Sequence, residues 1–248
     1  MKIALLVPSR ERIDKKKELI NSILSTVDNI NNVKLYFGVD LDDPTRDKAI
    51  QLRDCYSFVE IIDINNNGKF LGVGKLWNIC AKEAKEDILA MIGDDMVFKT
   101  RGWETKILEE FTNNCPKDNI KMLHCNDGRH GSKIAVNLFV HKRYIELTGY
   151  LMREEFMVDF IDIWLQQIFK SLNRIVYRGD ILIEHNHWSF RKSIKDGVAN
   201  NLRGNNYPEI SQRMWVDLLE ERIKEAKMIG NEIGIDPDLG KINTNILG

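Results

Sequence analysis

Two adjacent carboxylates, Asp94 and Asp95, follow a glycine in the stretch "ILAMIGDDMVF", residues 88 to 98. The apolar run from Ile88 to Ile92 reads as a buried strand, so the pair sits at a strand end. One negative charge in such a place is ordinary. Two side by side repel each other unless water, a base or a cation relieves them. Mg2+ and Mn2+ are often held by one or two carboxylates together with substrate phosphates. A solvated turn with a helix-capping Asp accounts for the pair equally well, so other residues must decide.

Three further groupings bear on that choice. "IEHNHW" places His185 and His187 two apart at the end of a strand, where both imidazoles face the same side and could address one ion. A nuclease of the HNH type would spread its histidines through a hairpin and a helix and would carry a basic surface. "MREEFMVDFIDIWLQQIFKSL" opens an apolar helix with Glu154, Glu155, Asp159 and Asp162. Acids in a first turn complement the helix dipole. Asp162, however, lies among Phe160, Ile161, Ile163 and Trp164, a costly place for a carboxylate without a task. A partly desolvated carboxylate beside a pocket is what a general base requires. Finally, "NNNGKFLGVGKLWN" brings three glycines and two lysines to the start of a helix, which suits a diphosphate held by backbone amides and cationic charge. Its spacing matches neither the Walker pattern nor GxGxxG.

The elements that must position these residues alternate. "KIALLVP", "VKLYFGVD", "VEIIDI" and "ILAMIG" read as strands. Helical spacing is seen over residues 14 to 27 and over "LGVGKLWNICAKEAKE". Strand-helix alternation predicts an α/β fold with a mainly parallel central sheet flanked by helices. Further on, "GWETKILEEF" predicts a helix, and "IKMLHCND" and "KIAVNLFVH" predict strands. "KRYIELTG" predicts a helix capped by Gly149, and "DFIDIWLQQIFKSLN" another, before strands "RIVYR" and "ILIEHNH". A single amphipathic helix is expected from Pro208 to about Met228. In open α/β sheets ligands sit beyond the carboxyl ends of the strands. Pro8, Ser9, Arg10, Asp40, Asn65 to Asn67, Asp94 and Asp95 should therefore meet on one rim.

Bulk properties exclude several classes. With 36 basic and 37 acidic side chains, net charge −1, the chain has no general electrostatic grip on nucleic acid. Four cysteines without a CxxC pair point to free thiols rather than to a zinc or redox motif. "MKIALLVPSRER" is too short in apolar residues for a signal segment, and no run has the length of a membrane span, so a soluble, cytoplasmic protein is expected.

Taken in order, these pieces over roughly residues 1 to 200 resemble the GT-A glycosyltransferases, most closely the family 2 type. "LLVPSRER" is similar to that family's first strand and nucleotide-contacting loop, through Pro8, Ser9 and Arg10. "YFGVDLDDP" is similar to its second strand, whose terminal Asp40 would meet the base. "GKLWNICAKEAKEDILAMIGDDMVF" resembles the stretch leading to the DxD-like metal motif, with Lys75 and Asn78 on the donor side. By that likeness Asp94 lies near the ribose and Asp95 binds Mn2+ or Mg2+. "FIDIWLQQIFKSLNRIVYRGDILIEHNHW" resembles the acceptor-side helix bearing a catalytic Asp, followed by a strand with a metal or pocket histidine.

The resemblance thus implies a metal-dependent, non-processive enzyme that moves one sugar from a nucleoside-diphosphate sugar to an acceptor hydroxyl, with inversion. Asp162 would be the base, with Asp159 as second choice. His187 or His185 would complete the metal shell. A full motif would carry an acid where Ile92 stands, and "GVDLDD" departs from the common "VDDGSTD". "HCNDGRHGSK", with Arg129, His130 and Lys133, is expected to border an acceptor that is a glycan, a lipid, a protein or a modified nucleic-acid base. Two other readings stand beside this one. One is a nucleotidyltransferase on a similar fold, though no glycine-rich loop follows the first strand. The other is a non-catalytic domain binding a nucleotide sugar or glycan. The expected organisation is a GT-A domain over residues 1–205, with a donor half to about 100 and an acceptor half beyond. A C-terminal helical extension over residues 206–248 would pack on it.

Overall fold

Strand β1 (Ile3–Pro8) sends Ile3, Leu5 and Val7 to one side and Ala4 and Leu6 to the other, and all five are fully buried. A strand apolar on both faces has to be covered on both. The computed structural model, which describes residues 1–186 and 206–245, shows how. Strands β2 (Val33–Asp40), β3 (Val59–Ile64) and β4 (Ile88–Met91) join β1 in parallel in the order β3-β2-β1-β4. The sheet continues through β7 (Leu138–His141), β6 (Met122–Asn126) and β8 (Ile175–His185) to β5 (Met96–Phe98). Four of the seven pairings are parallel; β4–β7, β6–β7 and β5–β8 are antiparallel. The expectation of a mainly parallel α/β sheet holds.

Helices α1 (Ile13–Thr26), α2 (Arg46–Cys55) and α4 (Trp103–Asn113) cover one face through Leu19, Ile20, Ile23, Ala49, Trp103 and Ile107. The other face is covered by α3 (Val73–Glu83), α5 (Arg143–Thr148) and α6 (Ile161–Ser171). Two C-terminal helices, α7 (Tyr207–Asp217) and α8 (Leu219–Ile233), add Trp215, Ala226 and Ile229 to this same core. Gly149, at φ 81°, closes α5 as predicted, its N–H donating to the Ile145 carbonyl. Among the described residues no helix is long and apolar enough to cross a membrane.

Several elements depart from the sequence expectation. The single helix from Pro208 is two, because the chain bends at Leu218 (φ −92°, ψ 17°), and Trp215 and Ala226 both reach the core. "RIVYR" and "ILIEHNH" form one strand: Gly179, Asp180 and Ile181 bulge out between Arg178, which pairs with Cys125, and Leu182, which pairs with Asn126. In "KIAVNLFVH" only Leu138–His141 is strand. Asn137 is instead buried, with its side-chain oxygen accepting the Cys125 N–H at 2.8 Å. Helix α2 was not anticipated, since only Ala49 and Leu52 of its ten residues are buried.

Gly72 and Gly74, at the N-terminus of α3, serve close packing. A Cβ on Gly74 would stand 2.2 Å from the Arg153 carbonyl oxygen, and one on Gly72 would stand 3.3 Å from that of Phe156. The Val73 N–H donates to the Met157 carbonyl at 2.9 Å across the same seam. Gly74→Ala is therefore expected to destabilise the protein by about 1–3 kcal/mol, read as a lowered denaturant midpoint. An unchanged midpoint would show that the 153–157 segment yields freely.

Candidate active site

The chain runs outward from β1 through β2 to β3, and then returns to place β4 on the other side of β1. The crevice between β1 and β4 is thus the topological switch point, where α/β sheets of this kind take ligands. Ser9 leaves one of these strands and Asp94 the other. The Ser9 hydroxyl donates to Asp94 Oδ2 at 2.6 Å, and both side chains are buried. Arg12 donates to Asp94 Oδ1 at 2.9 Å. Asp94 therefore tolerates its neighbour Asp95 because its own charge is already engaged.

The backbone that delivers these contacts is strained. Glu11 and Arg12, directly after β1, both lie in the left-handed region, at φ 61° and 38°. Non-glycine residues adopt it at a cost, and such residues gather at functional sites. The Glu11 N–H donates to Asp43 Oδ2 at 2.7 Å, and the Lys16 ammonium donates to the Glu11 carbonyl at 2.7 Å, which fix the loop from both sides. Lys16 is fully buried, and burial lowers its pKa while the charges of Asp94 and Asp43 oppose that drop. Arg10 reaches outward to Asp40 Oδ2 at 3.0 Å and Asp42 Oδ1 at 2.5 Å, and Asn66 donates to the same Asp42 oxygen at 3.1 Å. Ser9, Arg10, Asp40, Asn66 and Asp94 are thus on one rim, with Pro8 ending β1 beneath them.

Asp95 belongs to a second cluster. β4 ends in a tight turn, with the Met96 N–H donating to the Gly93 carbonyl, and the chain leaves to pair β5 with β8. Gly93 leaves room for the Asp95 carboxylate, whose Oδ1 would stand 2.8 Å from any Cβ there. The Met96–His185 pairing brings His185 Nε2 to 3.3 Å from Asp95 Oδ1, and Asn186 N–H donates to the Asp95 carbonyl at 2.8 Å. The carboxylate oxygen suits Mn2+ or Mg2+, and the imidazole nitrogen converging with it favours the transition metal, Mn2+, over Mg2+, which takes oxygen ligands. Among the described residues no set of three such ligands gathers, so bound phosphates and water would have to fill the shell. Ile92, where a further acid would stand, is fully buried in the core. His187 lies outside the described residues.

The same strand end adjoins a residue that sequence reasoning passed over. The His185 N–H donates to the carbonyl of Asp127, whose Oδ1 accepts N–H groups of Arg129, His130 and Gly131 and whose Oδ2 meets His130 Nδ1 at 2.6 Å. Burial would raise the Asp127 pKa, but the backbone N–H bonds and His130 outweigh it and hold the carboxyl below its usual range. The available signal was the Asp-Gly-x-His spacing of "NDGRH", which suits an Asp that caps its own turn.

Asp162 stands in the first turn of α6, after Phe160 at φ 74°, another strained non-glycine position. Burial pushes its carboxyl up to about 6, with Asp159 adding repulsion and a hydrogen bond from the Ile163 N–H opposing the rise. The charge of His130 also opposes it, which marks the Asp127 loop as a neighbour of Asp162. The two donor-side residues predicted on α3 stand elsewhere in the bonding pattern. The Asn78 side chain accepts from Leu151 and Met152 N–H and donates to the Met152 carbonyl and to Glu154, so it locks the 151–154 segment. Lys75 lies 3.9 Å from Glu154 at the surface.

A curled eight-stranded sheet with its switch-point crevice between β1 and β4, bridged there by Ser9 and Asp94, has the architecture of the GT-A glycosyltransferase fold. The solved structures that the chain resembles agree with that assignment. Over 74% of this chain and 59% of the other, Staphylococcus aureus TarS 1–349 in complex with UDP superposes with a TM-score of 0.58 at 15% identity. The same protein in complex with UDP-GlcNAc gives 0.59 at 13% identity, over 94% of this chain and 72% of that one. The mannosyltransferase PcManGT from Pyrobaculum calidifontis, in complex with GDP-Man and Mn2+, gives 0.60 at 9% identity, over 95% and 76%. No protein-family model matches the chain, and neither does any curated protein.

Proposed function

We propose that the protein is a glycosyltransferase that moves one sugar from a nucleoside-diphosphate sugar to an acceptor hydroxyl, with inversion. The observation that carries this reading is the Ser9–Asp94 contact across the β1–β4 crevice, with Asp95 and His185 beside it. The rim of Arg10, Asp40 and Asp42 would bind the base and ribose, since its fixed carboxylates and guanidinium offer both acceptors and donors. Asp94, oriented by Ser9 and Arg12, would accept from a ribose hydroxyl. Asp95 and His185 would hold Mn2+ or Mg2+, which when bound supplies positive charge beside the donor diphosphate. The resolved fold neighbours with UDP, UDP-GlcNAc, and GDP-Man with Mn2+ support such a donor.

On the acceptor side, Asp162 would take the proton of the attacking hydroxyl. The new bond from that oxygen to the anomeric carbon forms as the bond from the same carbon to the diphosphate oxygen breaks. The electron pair leaves with the nucleoside diphosphate, and the proton stays on Asp162. Its raised pKa suits this task, because a stronger base is still ionised at neutral pH.

The test is release of nucleoside diphosphate from UDP-GlcNAc and GDP-mannose in the presence of Mn2+, with water as the acceptor. Slow release from one of the two, absent without the cation, is the expected result. No such release, together with pyrophosphate formed from a nucleoside triphosphate and a sugar 1-phosphate, would make the protein a nucleotidyltransferase.

A further inference from the structure

The two C-terminal helices grip the start of α6 on both sides of Asp162. Before it, the Phe160 ring stacks on Trp215 of α7, with centroids 5.6 Å apart and planes 20° from parallel. Behind Trp215 lies the guanidinium of Arg222 from α8, 3.6 Å from the ring centroid and 5.0 Å from that of Trp164. Arg222 is fully buried and is tied to the Asn243 carbonyl at 3.0 Å, while Trp215 Nε1 donates to the Thr244 carbonyl at 2.9 Å. After Asp162, Trp164 Nε1 donates to Glu225 Oε2 at 3.1 Å, and Tyr144 and Tyr150 both donate to the same buried carboxylate at 2.5 Å. Two residues before Phe160, the Val158 N–H donates to the buried Ser211 hydroxyl of α7 at 3.2 Å.

Phe160 needs such support. An aromatic residue at φ 74° occupies a conformation that its own sterics oppose, and such a residue persists only where its surroundings over-determine it. The stack on Trp215 and the bond to Ser211 supply that from α7. The bond that Trp164 donates to Glu225 of α8 fixes the other end of the same turn. Most of this contact is buried stacking and charge-assisted bonding, which holds a side chain more narrowly than apolar packing alone.

From this geometry we infer that Trp215, backed by Arg222, is a positioning residue for Asp162, and that the C-terminal helices are part of the acceptor side of the site. The inference rests on the reading of Asp162 as the base. Trp215→Leu keeps an apolar core residue but removes the stack. It is expected to lower kcat for nucleoside diphosphate release from UDP-GlcNAc or GDP-mannose by about tenfold to a hundredfold, since a misplaced catalytic group costs on that scale. The donor KM should stay within about twofold, because the donor rim lies at β1, β2 and β4. Trp215→Phe, which restores an aromatic face, should recover most of the loss. In an Asp162→Asn background, Trp215→Leu should cause no further fall, because both changes act through one group. A folded Trp215→Leu protein with wild-type kcat, while Asp162→Asn alone is inactive, would overturn the clamp and leave the base standing. An active Asp162→Asn protein would overturn both. Should Trp215→Leu fail to fold, Phe160→Gly removes the stack from its half-buried side and suits the positive φ. The same kcat loss is expected there, and wild-type kcat in that variant would equally overturn the clamp.

Discussion

Asp162→Asn is expected to lose turnover by about two to four orders of magnitude, the usual worth of a general base, while binding nucleotide as the parent does. The same substitution should make the protein more stable at pH 8. In the folded state the Asp162 carboxyl is pushed up to about 6 from an ordinary 3.8, chiefly by burial. The folded chain therefore holds this proton more tightly than the unfolded chain. The carboxyl costs stability fully above pH 6, and that cost fades as the pH falls through 6 toward 4. Across that gap the penalty is at most about 3 kcal/mol, and asparagine does not carry it. Asparagine also keeps an oxygen for the Ile163 N–H, so the first turn of α6 retains its bond. The parent enzyme's kcat should accordingly rise with pH through about 6, and chemical denaturation at pH 4 and pH 8 should show the stability gain only at the higher pH. A dead variant that is also less stable at pH 8 would make Asp162 a structural acid.

The second large effect is expected at Asp95. Asp95→Ala removes the carboxylate that faces His185 at 3.3 Å and leaves the Asn186 N–H bond to the residue 95 carbonyl in place. The fold should persist, whereas cation affinity should fall by about a hundredfold or more, since even residues that only orient a ligand are worth 10- to 100-fold. Titration of Mn2+ followed by its paramagnetic resonance signal reads this without any substrate. Asp95→Ala binding Mn2+ as tightly as the parent would move the cation elsewhere. By contrast, Asp94 is engaged by Ser9 and Arg12, and its loss should weaken nucleotide binding more than cation binding.

Much of this arrangement could be read before the structure. β1 to β4 were legible because their apolar runs are bounded by polar residues, and the strand-end rule then brought Ser9, Arg10, Asp40, Asn66 and Asp94 to one rim. The elements that were missed carry little of that signal. β5 is three residues long, and α2 buries only two side chains. The break at Leu218 has neither a proline nor a glycine to announce it. Within the site, Arg12 and Lys16 come from the charged run "SRERIDKKK", which reads as solvated, yet Lys16 is wholly buried against Phe37 and Arg12 holds Asp94. Long side chains of this kind cross from surface to interior, and periodicity cannot tell which of several lysines does so. Likewise, the glycines around the start of α3 suggest a phosphate loop in the sequence, but the neighbours of Gly72 and Gly74 in space are the Phe156 and Arg153 carbonyls. Close approach of two backbones and a cradle for phosphate both call for a residue without a side chain, and only the fold separates them.

The central claim is that the crevice between β1 and β4 binds a nucleoside diphosphate together with a divalent cation. It is tested most directly by the melting temperature of the protein with UDP, GDP, CDP or ADP, each with and without Mn2+. A ligand that binds only the folded state raises that temperature with its occupancy. The account predicts a rise for one nucleotide, dependent on Mn2+ and lost in Asp95→Ala. No rise with any of the four would contradict it, and Asp94 and Asp95 would then be structural acids, held by Ser9, Arg12 and His185, on a fold that binds something else.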